Sequence, residues 1–170
     1  MPRPTNKSKA DDLFIRANKH EENGEKRFAF RLMLAAARLG DRGAQVNVGN
    51  YYDAAHGVRR NRSAALYWYK RAYRHGDSSA AHNIAILWRN EGQFRRALAW
   101  FFRSVKLGDE ESNLDIGKHF LHNDKNPRKA ISYFERVTPE KWVSEAAAEE
   151  AKQLLREAKK LLKTRRATSR

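Results

Sequence analysis

Cysteine is absent from this 170-residue chain, which excludes a disulfide scaffold, a thiolate zinc site and thiol catalysis. No run approaches the roughly 18 consecutive apolar residues that suggest a membrane-spanning helix, so no membrane partner is expected. The opening Met1-Pro2-Arg3-Pro4-Thr5-Asn6-Lys7-Ser8-Lys9 is basic but runs into Asp11 and Asp12 with no apolar stretch. It reads as a flexible basic arm over residues 1–10, not a secretory signal. Acidic residues are few, 20 against 35 Lys and Arg, leaving a net charge of +15. Even so, 41% hydrophobic content with four Trp, six Tyr and eight Phe excludes wholesale disorder. The length fits one domain with a real core, and the lack of cysteine suits a cytoplasmic setting.

The chain repeats itself. Leu39-Gly40-Asp41, His75-Gly76-Asp77 and Leu107-Gly108-Asp109 recur at steps of 36 and 32. Small or apolar residues follow at matching offsets: Ala44, Val48, Gly49 and Tyr52; Ala80, Ile84, Ala85 and Trp88; Ser112, Ile116, Gly117 and Phe120. A second aligned run carries Trp68 and Tyr69, then Trp100 and Phe101, then Tyr133 and Phe134. Upstream, Ala17, Ala29, Met33 and Ala36 map onto the third unit at a constant offset of 68. Four units result, about 11–40, 41–76, 77–108 and 109–138.

Spacings of 3 and 4 place these residues on one helical stripe, so each unit is expected to be two short amphipathic helices. Asp41, Asp77, Asp109, Asn61 and Asn126 stand at helix starts, Pro127 at a first helical position, and glycines at helix ends. A hairpin of this kind buries its stripe only by stacking on its neighbours. The expected fold is therefore all-α, a right-handed α-solenoid of four helix-turn-helix repeats. Residues 139–163 break the period: Thr138 can cap, Pro139 can start, and Ala147, Ala151, Leu154, Ala158 and Leu161 form a narrow stripe. This segment is read as a long C-terminal capping helix in preference to a dimer seam, with 164–170 a disordered basic tail.

Ala44-Gln45-Val46-Asn47-Val48-Gly49-Asn50-Tyr51-Tyr52, then His56-Gly57-Val58, then Ala65-Leu66-Tyr67-Trp68-Tyr69-Lys70-Arg71-Ala72 and Gly76 resemble a Sel1-like repeat (SLR), a relative of the tetratricopeptide repeat (TPR) with a longer internal turn carrying Gly-Val. The units at 77–108 and 109–138 lack that turn and are closer to tetratricopeptide spacing. The first matches weakly, with Arg16 where its siblings have Val48, Ile84 and Ile116. The resemblance implies a protein-binding adaptor.

In a two-helix solenoid the first helices line the concave side. Once the core positions are removed, Asn47, Asn50, Tyr51, Asn83 and Asn90 remain as candidate partner-binding residues. Asparagine offers a donor and an acceptor, suited to clamping an extended peptide backbone. The charge is uneven: residues 29–76 carry +7 and 109–140 carry −2. Arg59, Arg60 and Arg62 in one turn, with Lys70, Arg71 and Arg74 on the next helix, are candidate electrostatic anchors for an acidic partner. The same basic units leave nucleic-acid binding as an alternative, for which Tyr51, Tyr67 and Tyr73 are the rings not assigned to the core. His119 and His122 with Asp115 have metal-ligand spacing, but lacking supporting residues they read as exposed polar side chains. No nucleophile with its base, phosphate-cradling glycine loop or carboxylate pair appears, so neither catalysis, a metal nor a cofactor is expected. The expected function is a protein-protein interaction adaptor that binds a protein or peptide through the concave surface and the basic patch. An inhibitor or immunity protein blocking an acidic effector is a further alternative on the same scaffold.

Overall fold

The computed structural model describes residues 5–139 and 142–168, with side chains through 165. All regular structure among the described residues is helical. No helix among them is long and apolar enough to cross a membrane. Two compact units emerge, one up to Ile84 and one from Ala85 onward.

The first unit is built from α1 (Asn6–Glu22), α2 (Lys26–Arg38), α3 (Arg42–Ala54), α4 (Arg62–Arg74) and the start of α5 (Ser78–Asn90). The starts of α1, α3, α4 and α5 each have a side-chain oxygen for an otherwise orphaned backbone N–H, whereas α2 begins without one. Asp41 accepts from Ala44 at 2.6 Å, Asn61 from Ala64 at 3.0 Å and Asp77 from Ala80 at 2.9 Å. Thr5 does the same for Ser8 at 3.2 Å, so α1 begins at Asn6 and the expected arm is helical from there. Residues 1–4 of that arm lie outside the described residues. α1 packs on α2, α2 on α3, and α3 on α4. Fully buried Ala17, Ala29, Ala36 and Ala44 let the backbones approach, and Phe30, Met33, Tyr51 and Trp68 fill the space between them. The Gly-Val turn has a specific reason for its glycine. Gly57 sits at φ +67°, and a Cβ there would collide with the carbonyl oxygen of Lys26 at the start of α2.

The second unit holds the rest of α5, then α6 (Phe94–Lys106), α7 (Ser112–Lys118), α8 (Pro127–Phe134) and α9 (Glu145–Thr168). α7 widens at its end into a π turn over His119–Asn123. Asn126 caps α8 and Pro127 opens it. Ala85, Phe101, Ile116, Phe120 and Phe134 share one core with Ala147, Ala151 and Ala158 of α9. The last helix departs from expectation at both ends. It starts at Glu145, not Pro139, because the Ser144 hydroxyl accepts from the N–H of Ala147 while its own N–H donates to Glu111 at 3.1 Å. It continues through Thr168, so the expected disordered tail is helical as far as that residue. Leu161, expected on the buried stripe, is exposed.

Candidate functional site

A pocket of about 300 Å³ opens on the first unit, lined by Asn18, Glu21, Met33, Asn47, Asn50, Tyr51, Ala54 and His56. Positions 47, 50, 51 and 54 fall on one face of α3 because helical neighbours lie three and four residues apart. Residues 18 and 21 do the same on α1. Met33 of α2 and Ala54 give apolar lining, and Asn47 points its amide at the Met33 sulfur at 3.9 Å.

One wall is a polar network. The Tyr51 hydroxyl donates to Glu21 Oε2 at 2.8 Å, and His56 Nε2 bonds to Glu21 Oε1. The Tyr51 and His56 rings stack, 5.2 Å apart and tilted 28°. Burial pushes the Glu21 carboxyl up. The bonds from Tyr51 and His56 and the charges of His56 and Lys26 outweigh this, holding it below the ordinary glutamate value. Burial and the neighbouring carboxylate push the Tyr51 phenol well up, so it remains a donor. The Asn50 carbonyl oxygen accepts from Tyr69 at 2.7 Å and from Asn83 at 3.1 Å, which leaves the Asn50 amide group for something else.

The sequence-predicted residues divide. Asn47 and Asn50 line the pocket, and Asn83 reaches it through Asn50. Tyr51 is part of the wall but not a free groove residue: it is 7% exposed, because α1 brings Glu21 onto its hydroxyl. Asn90 is exposed at the end of α5, in the second unit, and is not part of this pocket. The three turn arginines have different surroundings. Arg60 pairs with Asp53 at 3.3 Å and Arg62 is half-buried. Arg59 lines a separate pocket with Arg27, Ala55, Gly57 and Val58. Lys70 and Arg74 are exposed, and Arg71 lies over the Trp68 ring at 5.5 Å. Asn18, Glu21 and His56 were missed by sequence reasoning. The available signal was the helical register of α1 against α3, obscured by the weak repeat match of the first unit.

The repeat offset of 68 carries Glu21 onto Arg89, Asn47 onto Asp115, Tyr51 onto His119 and His56 onto Asp124. At these second-unit positions the side chains satisfy one another. Arg89 pairs with Asp115 and lies 5.8 Å from the Phe101 ring, and His119 faces Asp124 at 3.4 Å. Lys118, at the position equivalent to Asn50, is held by Glu150 of α9 at 2.8 Å. Asp115 and His119 thus have other company, His122 is exposed, and among the described residues no cluster of three His, Asp or Glu is placed to hold a metal.

No protein-family model matches the chain, and no curated protein does. Solved structures do. A Sel1 repeat protein from Oxalobacter formigenes matches 86% of this chain at a TM-score of 0.65 and 22% identity. A protective antigen of uropathogenic Escherichia coli that displays an SLR fold matches 88% of it at 0.69 and 14%. The fold is that of the Sel1-like repeat. MamA matches 85% at a TM-score of 0.61 and 14% identity, with 79% of its own length covered. The chain spans 62% of the Oxalobacter protein and 38% of the E. coli antigen. The all-helical, TPR-like repeat expected from the sequence is thus the observed fold class, and at these identities the likeness concerns the fold.

Proposed function

We propose that this chain is a scaffold, not an enzyme, and that it takes an extended segment of a partner protein on the pocket of its first unit. The carrying observation is that pocket: three asparagines, Asn18, Asn47 and Asn50, surround an apolar lining of Met33 and Ala54. Carboxamides present both donor and acceptor to a peptide backbone, while about 300 Å³ accepts one apolar side chain. Glu21 supports this as a structural clamp. Both its oxygens are engaged by Tyr51 and His56, which fixes the wall and lowers the ordering cost of docking. The equivalent positions in the second unit are occupied by their own ion pairs, which favours the first unit as the receptor.

Panning a displayed random-peptide library on the full chain tests this. We expect enriched peptides sharing one apolar residue in a polar context. Asn18→Ala and Asn47→Ala should together weaken them at least about tenfold, or about 1.4 kcal/mol. Asn50 is left intact because its carbonyl supports Tyr69. Failure to enrich any peptide, or equal binding to the double variant, defeats the proposal.

A further inference from the structure

Acids and bases in this chain are sorted by helix. The first helix of each pair is close to neutral: α1 has four basic and four acidic residues, α3 and α7 one of each, and α5 a single arginine. The second helices hold cations alone. α2, α4 and α6 carry four Lys or Arg apiece and α8 two, with no Asp or Glu in any of them. These helices thus bear a charge almost equal to the net +15 of the whole chain.

A face kept merely soluble is better served by mixed signs, since Glu–Lys pairs a turn apart stabilise a helix and like charges destabilise it. Arg27 with Arg31 and Lys70 with Arg74 are like charges one turn apart. Relief within the chain is slight, the charge of Lys26 acting on the Glu21 carboxylate. The ion pairs formed include Arg16–Asp12, Arg42–Asp77 and Arg89–Asp115, all made by residues outside the second helices. Leaving Arg62 aside, no cation of α2, α4, α6 or α8 lies within ion-pair distance of an acid among the described residues.

Several cations instead lie over rings. Arg71 lies over Trp68 at 5.5 Å and Arg103 over Trp100 at 4.6 Å, with Arg136 over Tyr133 at 4.9 Å just beyond α8. All three pairs occupy the same repeat position. A guanidinium held over a ring keeps N–H groups able to hold a phosphate, although one nitrogen of Arg103 already donates to the Ala99 carbonyl at 3.3 Å. Exposed aromatics stand on the same helices: Phe28 on α2, Tyr67 on α4 at 55% exposure, and Phe102 on α6 at 39%. Fixed cations beside exposed rings combine the two elements by which proteins hold single strands without sequence preference. An acidic protein would use the cations alone, and a duplex offers no free base faces.

We propose that α6 and α8, the second helices of the second unit, form a binding surface for single-stranded nucleic acid, with the cations on phosphates and the exposed rings against bases. This is independent of the peptide pocket, none of whose asparagines lies on these helices. The test is fluorescence polarisation of labelled oligo-uridine and oligo-deoxythymidine on the full chain at about 0.05 and 0.15 M salt. We expect binding that weakens with salt. Arg96→Glu, Arg103→Glu and Lys106→Glu combined should cost at least about tenfold and flatten the salt slope. The milder Arg96→Gln, Arg103→Gln pair, which removes charge without reversing it, should move both readouts the same way. Phe102→Ala, and Phe94→Ala at the exposed start of α6, should each weaken binding about tenfold with the slope unchanged, as loss of base stacking predicts. Absence of binding at the lower salt overturns the proposal, as does indifference to the ring variants. So does equal affinity for duplex DNA, polyglutamate or phosphatidylserine vesicles.

Discussion

Glu21 shows how one side chain organises its surroundings. Its carboxylate joins α1 to Tyr51 on α3 and to His56 in the turn beyond. Because these contacts favour the ionised form, its folded pKa lies below the ordinary value. The stabilisation is present in full above the unfolded glutamate pKa, about 4.3. It is lost as the pH falls through that value and then through the lower folded one. Thermal midpoints measured from pH 7 downward should therefore drop more steeply for the wild type than for Glu21→Gln in that acid window. Parallel curves would show that the carboxylate contributes nothing through its ionisation.

Between elements, stability depends on pairing a ring with a position that has no side chain. A Cβ on Gly49 would collide with the Tyr69 ring, and one on Gly117 with the Phe134 ring. These sites repeat the same packing of a second helix on a first. Gly49→Ala should displace Tyr69 and strain its bond to Asn50, costing about 1–3 kcal/mol as overpacking does. Urea unfolding measures it, and an unchanged midpoint would refute the packing account. These pairs were legible in the sequence, because a small residue on one helix and a ring on the next recur at aligned positions, and so were the helix starts at Asp41, Asn61 and Asn126. Features set by distant chain were not legible. Pro139 can begin a helix locally, yet the bond from Ser144 to Glu111, thirty-three residues away, places the start at Glu145. Tyr52 falls on the repeating apolar stripe and Tyr51 off it, yet Tyr51 is the deeper, because Phe30, His56 and Glu21 from other parts of the chain close over it.

At the scale of the whole molecule, the pocket and the charge belong to different helices. The asparagines lie on α1 and α3, whose acids and bases balance, while α2, α4, α6 and α8 carry cations with no acid among them. The proposed peptide would be held on the first set by short-range hydrogen bonds that salt hardly affects, whereas the proposed nucleic-acid strand would meet a field that salt screens. Repulsion among exposed cations also bears on stability without any ligand, since a net +15 opposes the compact state. Raising sodium chloride from about 0.02 to 0.3 M shortens the Debye length from about 20 Å to under 6 Å, so the thermal midpoint of the free chain should rise by several degrees. Neutralising two of the four α6 cations with Arg96→Gln and Arg103→Gln should reduce that rise. A midpoint that falls with salt would mean instead that attractive pairs such as Arg89–Asp115 and Lys118–Glu150 dominate the electrostatics of the fold.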